Sequence, residues 1–188
     1  MLNSNSFISL ILILFSFLVI PLTLSAEPIT VQPSQLKLIR PDSLDPNLQI
    51  GPRLITKFEL PQQFHGTFIR LATVEFEAPF PVVNDDSTLI VKIYPISTAW
   101  SQNGTNWDDP WIRAGGDYID TLEQTYFLRA GVQELNRIDL TQLFRLYSNQ
   151  TIENYGLIFI LEHYNRNALR ALRHIRPEFV NSFRLVIQ

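Results

Sequence analysis

The stretch RLITKFEL, Arg53 to Leu60, decides how the chain folds. Leu54, Thr56, Phe58 and Leu60 fall on one side of an extended backbone; Ile55, Lys57 and Glu59 fall on the other. Successive strand side chains point to opposite faces, so this alternation predicts a half-buried β-strand. The same reading extends outward. FIRLATVEFEA (68–78) alternates too, but its phase slips near Ala72: Ile69 and Leu71 share one parity, Val74 and Phe76 the other. A bulge absorbs such a slip. After the turn signal Asn84-Asp85-Asp86-Ser87 come STLIVKIYPI, TYFLRA, NRIDL, YGLIFILEH and SFRLVIQ, each with strand character.

Upstream, residues 27–52 are punctuated by Pro28, Pro33, Pro41, Pro46 and Pro52. Proline donates no ladder hydrogen bond, so this part is an extension or forms edge strands only, as in TVQ and LKLI. Two stretches have helical spacing. In DLTQLFRLYSN, Asp139 or Thr141 can cap a turn that puts Leu140, Leu143, Phe144 and Tyr147 on one side. ALRALRHIR is the other. Strands do not alternate with helices as a parallel α/β fold requires. The expectation is an all-β chain: an antiparallel β-sandwich of jelly-roll type with one or two short helices.

Composition bounds the role. The net charge is −3, which argues against a nucleic-acid partner. There is no cysteine, so packing or ions must hold the fold together. Phe7 to Leu24 carries no charge and is followed by Ser25-Ala26-Glu27-Pro28. That layout predicts a signal peptide over residues 1–26 and a secreted, extracellular or cell-surface protein. The segment MLNSNS has no Lys or Arg, and the apolar run nears membrane-spanning length. An uncleaved anchor is therefore the alternative, and the expected route to a membrane. Residues 27–188 suit one domain.

All three tryptophans lie in TAWSQNGTNWDDPWIRAGGDY, Thr98 to Tyr118. An indole can stack on a pyranose face, or it can plug the end of a core. Asp108, Asp109, Asp117 and Asp120, with Asn103 and Asn106, offer oxygens for a calcium ion or simply close turns. On a helix, Arg166, Arg170 and Arg173 would share one face. That face could grip carboxylates or phosphates, lie on an anionic membrane, or be merely solvated. Material for catalysis is thin. The histidines are His65, His163 and His174, and no nucleophile elbow, zinc-protease motif or phosphate loop occurs. Tyr126, His163 and Arg129 could assemble a lyase site, although no spacing demands it. Asn103-Gly-Thr and Asn149-Gln-Thr match the N-glycosylation pattern.

Several stretches, taken in order, resemble the DNRLRE domain family, which includes alginate-binding modules of the CBM96 type. They are RLITKFELP, GTFIRLATVEFEA, WSQNGTNWDDP, RIDLTQLFRLYSNQTIENYGLIFI and SFRLVIQ, within Asn47 to Gln188. The resemblance implies a jelly-roll sandwich acting as a non-catalytic module of a secreted protein, for polysaccharide in many members and with bound calcium in some. It places Trp100 and Trp107 where the family's two tryptophans pack, which makes them structural. Trp111 and Tyr118 have no counterpart and are the stacking candidates. The expected departures from the family are a stand-alone domain with no enzyme attached, the want of a clear D-x-Y-[IV] opening, and the inserted, basic NRNALRALRHIRPEF. The expected function is binding of an acidic polysaccharide by Trp111 and Tyr118 with help from Arg166, Arg170 and Arg173. Calcium is allowed through Asp108, Asp109 and Asp117. The alternatives are a structural or adhesion protein meeting a partner or another copy through a sheet edge, and a polysaccharide lyase or hydrolase.

Overall fold

A computed structural model describes residues 27–41, 51–77, 88–129, 135–162 and 182–188. Nine strands occur among them: β1 (Ile29–Val31), β2 (Gln35–Ile39), β3 (Arg53–Lys57), β4 (Ala72–Glu77), β5 (Thr88–Pro95), β6 (Gln124–Arg129), β7 (Leu135–Asp139), β8 (Leu157–Glu162) and β9 (Arg184–Ile187). They form a four-stranded sheet, β1-β9-β4-β7, and a five-stranded sheet, β2-β3-β8-β5-β6. Every pairing is antiparallel. From β3 onward the chain passes repeatedly between the sheets, and strands distant in sequence become neighbours. That order is a jelly roll, with β2 added at the edge beside β3.

Alternation assigns the faces. Leu54, Val74, Phe76, Val91, Ile93, Leu157, Phe159, Leu185 and Ile187 point between the sheets and form the main core. Phe183 stacks on Phe76 at 4.8 Å between ring centroids and meets Phe159 edge-on at 5.6 Å. Both are favoured aromatic geometries. The phase slip before Ala72 has the cause expected of it. Arg70 and Leu71 both donate to the Gln188 carbonyl, at 2.7 and 3.1 Å, so two residues oppose one.

Helix α1 (Thr141–Ser148) is the one α-helix longer than a turn among the described residues. Asp139 Oδ1 accepts from the Thr141 N–H at 2.9 Å and from its hydroxyl at 2.6 Å. Leu140, Leu143, Phe144 and Tyr147 are buried, as their spacing predicts. Thr141 Oγ1 accepts from the Ala72 N–H at 3.0 Å, and Arg145 Nε donates to the Ile69 carbonyl at 2.8 Å. These bonds fasten the helix to the start of β4. Burial pushes the Tyr147 hydroxyl pKa up, and that hydroxyl donates to the Gly156 carbonyl at 2.9 Å.

One reading of RLITKFEL needs correction. β3 is not half-buried: Leu54, Ile55 and Thr56 are all buried. Ile55 belongs to a second apolar cluster outside the sandwich, with Ile39, Tyr94, Ile96, Trp107, Trp111 and Ile158. The five-stranded sheet is covered on both faces over this part, and the outer cover is the tryptophan segment. The segments 1–26, Asn84-Asp85-Asp86-Ser87 and ALRALRHIR lie outside the described residues.

Candidate functional site

The segment between β5 and β6 is pinned at its neck. Ile96 and Tyr118 form an antiparallel bridge. Beside it, Ser97 N–H donates to Asp117 O and Ile119 N–H to Pro95 O, both at 3.0 Å. Inside the loop, turn-forming side chains replace a ladder. Asn106 Oδ1 accepts from the Asp108 and Asp109 N–H groups, both at 2.8 Å. Asp117 takes three donors: Arg113 N–H at 2.8 Å on Oδ1, with Ile112 N–H at 2.8 Å and Thr98 Oγ1 at 2.9 Å on Oδ2. Burial would raise its pKa, but these bonds and the Arg113 charge outweigh it and hold the carboxyl below its usual range.

So braced, the loop lays its indoles on the sheet. Trp107 is 8% exposed. Gly115 donates its N–H to Trp107 O, has φ +86°, and its missing side chain leaves room for the ring: a Cβ there would lie 2.7 Å from Trp107 Cζ2. Trp100 packs partly buried against the same cluster, with its indole N–H on Tyr155 O at 2.7 Å. Trp111, expected to offer a stacking face, is only 7% exposed, and its N–H is spent on Asn106 O at 2.9 Å. Its indole covers Ile158 and its neighbours instead of facing solvent.

Tyr118 stands at the margin of this roof. The Arg113 guanidinium lies over its ring at 4.4 Å, Arg53 at 5.9 Å, and the Tyr94 ring centroid at 4.5 Å. Arg53 also lies over Trp107 at 5.0 Å and donates to Gly115 O at 2.8 Å. The result is a ladder of alternating rings and guanidinium planes, Trp107–Arg53–Tyr118–Arg113. Arg113 pairs with Asp120 at 3.5 Å.

Beyond the ladder the sheet's outer face is less covered. Cross-strand registers align Ile160 with Lys92 and Lys92 with Thr125; Ile90 lies opposite Phe127. Phe127 is 63% exposed. Glu123 borders the strip. Its pKa is lowered, first by the Tyr94 hydroxyl donating at 2.5 Å, and then by Thr125 and Lys92, which together outweigh the opposing effect of desolvation. The arrangement places cations, one exposed ring and hydroxyls side by side on the sheet.

Of the residues expected to act, Tyr118 and the tryptophans come together. Asp108 and Asp109 are exposed, and Asp117 is committed to bracing the loop. Among the described residues no three acidic or histidine side chains converge as a metal site would. Arg166, Arg170, Arg173, His163 and His174 lie outside the described residues, as does the Arg129 side chain. Tyr126 faces the main core, its hydroxyl 3.4 Å from Asn136 Oδ1. His65 Nε2 is 3.1 Å from Leu60 O. Sequence reasoning missed Arg53, Arg113, Lys92 and Phe127. A signal existed for two of them: Arg53 has the outward parity of Ile55, and Phe127 alternates with the inward Tyr126 and Leu128. No family model matches the chain, and no curated protein matches it. The resemblance to the DNRLRE domains rests on the quoted stretches alone.

Proposed function

We propose that the chain is a non-catalytic binding module of an exported protein, taking an acidic polysaccharide across the outer face of its five-stranded sheet. The observation that carries this reading is the guanidinium–aromatic ladder ending at Tyr118 and Arg113, beside the strip of Lys92, Thr125 and Phe127. Arginine planes recognise carboxylates by paired hydrogen bonds, and an exposed ring stacks on the apolar face of a sugar. Rigid strands hold both kinds of group in register, so little ordering is needed on binding.

Affinity gel electrophoresis with alginate, pectin and a neutral glucan tests it. The expected result is retardation by the anionic polymers alone, weakening as salt rises, and reduced by Arg113→Gln and by Phe127→Ala. Equal migration in all gels overturns the reading. One observation favours a second role: Phe127 is exposed on β6, an edge strand of its sheet, where another chain could pair. Concentration-dependent assembly without glycan retardation would select that structural or adhesive role. Release of unsaturated sugars, read as ultraviolet absorbance, would select a lyase.

A further inference from the structure

A concave feature lies away from the tryptophan roof. The bulged segment before β4, the start of β6 and the first turn of α1 enclose an open cleft of 370 Å³. Leu71, Leu140 and Leu143 supply apolar lining, and Arg70, Arg145 and Gln142 stand among the polar lining residues, with Asp139 and Gln124. The volume lies at the small end of ligand pockets, suited to a compact ligand rather than a chain.

Its chemistry is specific. Arg145 is held before any ligand arrives: its Nε donates to Ile69 O at 2.8 Å, and its guanidinium lies 4.2 Å over the Phe68 ring. Among the described residues the other nitrogens of its fork have no hydrogen-bond partner, so they remain for a ligand. Arg70 is exposed, and its side chain has no partner among the described residues. The two guanidinium groups call for an anion. Asp139, whose Oδ1 is occupied by Thr141, leaves a second carboxylate oxygen that calls for a hydroxyl donor. Gln124 and Gln142 offer amides that donate and accept. A simple inorganic anion would satisfy the arginines and be repelled by Asp139. A neutral sugar would satisfy Asp139 and leave the arginines unanswered.

We infer that this cleft binds a small hydroxylated anion, a sugar carrying a carboxylate or a phosphate. The inference does not rest on the reading of the sheet face.

The test is nuclear magnetic resonance on the full isotope-labelled chain, titrated with glucuronate, glucose 6-phosphate and glucose. At least one of the anionic sugars shifts the side-chain amides of Gln124 and Gln142 saturably, while glucose does not. The more effective of the two identifies the anion. Arg70→Gln weakens that binding about tenfold, the scale of one lost charge-assisted contact, with the remaining spectrum unchanged. Arg145→Lys keeps the charge but not the fork and also weakens it. Equal shifts with all three sugars, no shifts at all, or undiminished binding by Arg70→Gln would each overturn the inference. None of these results bears on the sheet face, which is decided by polymer retardation.

Discussion

The two sheets share one core but turn opposite kinds of outer face to their surroundings. Outside the four-stranded sheet a single cross-strand row runs Arg184–Glu75–Arg137. Glu75 is buried, with one oxygen 2.9 Å from Arg137 Nε and the other 2.7 Å from Arg184 Nε. Along β4 its outward neighbours Thr73 and Glu77 are polar, and the apolar side chains on this face, Val186 and the 39% exposed Leu135, are scattered among them. Outside the five-stranded sheet the corresponding positions are Ile55, Ile158 and Tyr94. These cannot be left to water, and a loop containing every tryptophan of the chain is laid over them. One face is completed by charges in register, the other by a long excursion of backbone. The long loop is therefore part of the folding unit: removing it would expose apolar sheet, whereas the ionic row could be dismantled at little cost.

The largest expected effect comes where both faces are tied together. Gly156 O accepts from Tyr147 of the helix and from the Ile96 N–H at the loop's neck. Its φ is +98°, and a Cβ there would lie 2.2 Å from Thr56 O, an atom of backbone that cannot step aside. Gly156→Ala is expected to cost more than about 4 kcal/mol, with far-ultraviolet circular dichroism and tryptophan fluorescence lost together. If only the fluorescence changed, the loop would be separable from the sandwich and would not belong to the folding unit. Next is Trp107→Ala. It removes a buried indole from over Ile55 and Ile158 and is expected to cost about 3–5 kcal/mol by urea denaturation. The fluorescence of Trp100 and Trp111 should report the same midpoint as the circular dichroism. A lower fluorescence midpoint would make the roof a detachable appendage.

Asp117→Asn is expected to make a smaller change. The amide keeps the size of the carboxylate but brings an N–H donor against donors already there, Ile112, Arg113 and Thr98. A loss of about 2 kcal/mol is expected, the scale of disrupted hydrogen bonds to a charged group. Fluorescence should shift to the red at unchanged strand content. Unshifted fluorescence would mean that the indoles, not the carboxylate, hold the loop.

This contrast explains what could be read in the residues beforehand. The strands could, because period-two alternation is local and turn-forming residues mark the segments between them. The helix could, because Leu140, Leu143, Phe144 and Tyr147 fall three and four apart. The roof could not, although a sign of it was present. LIFIL in β8 is apolar at every position, as a strand covered on both sides must be, and Ile55 interrupts the polar face of β3. What covers such a strand is settled by contacts between residues far apart, such as Trp107 with Ile158, and spacing does not encode them. Trp111 illustrates the limit: its turn-rich neighbours suggest exposure, yet the same turns fold it back onto the sheet. The cleft between Arg70 and Arg145 was illegible for the same reason, since its walls come from segments distant in sequence.

The smallest effect belongs to the open face. Glu75→Gln keeps the shape of the row and removes its charge. Arg137 and Arg184 have side chains 66% and 42% exposed, so water receives them readily, and the expected cost at neutral pH is about 1 kcal/mol. The pH dependence is the sharper readout. Burial alone would raise the Glu75 pKa, but the bonds and charges of Arg184 and Arg137 outweigh it and hold the group below its ordinary value. A carboxyl depressed in the folded state releases its proton more readily there than in the unfolded chain. Its stabilisation is complete above the ordinary carboxylate range near about pH 4, and it is lost as pH falls through the folded value. The wild type should therefore lose stability between neutral pH and about pH 3, and Glu75→Gln should lose less over the same interval. Among the described residues, Asp117 and Glu123 carry the remaining acid dependence, their carboxyls lowered in the same direction on the other side of the molecule. Urea midpoints at the two pH values measure both slopes. Equal slopes would show that the Arg–Glu–Arg row contributes nothing beyond its shape, leaving the roofed face as the source of the acid sensitivity.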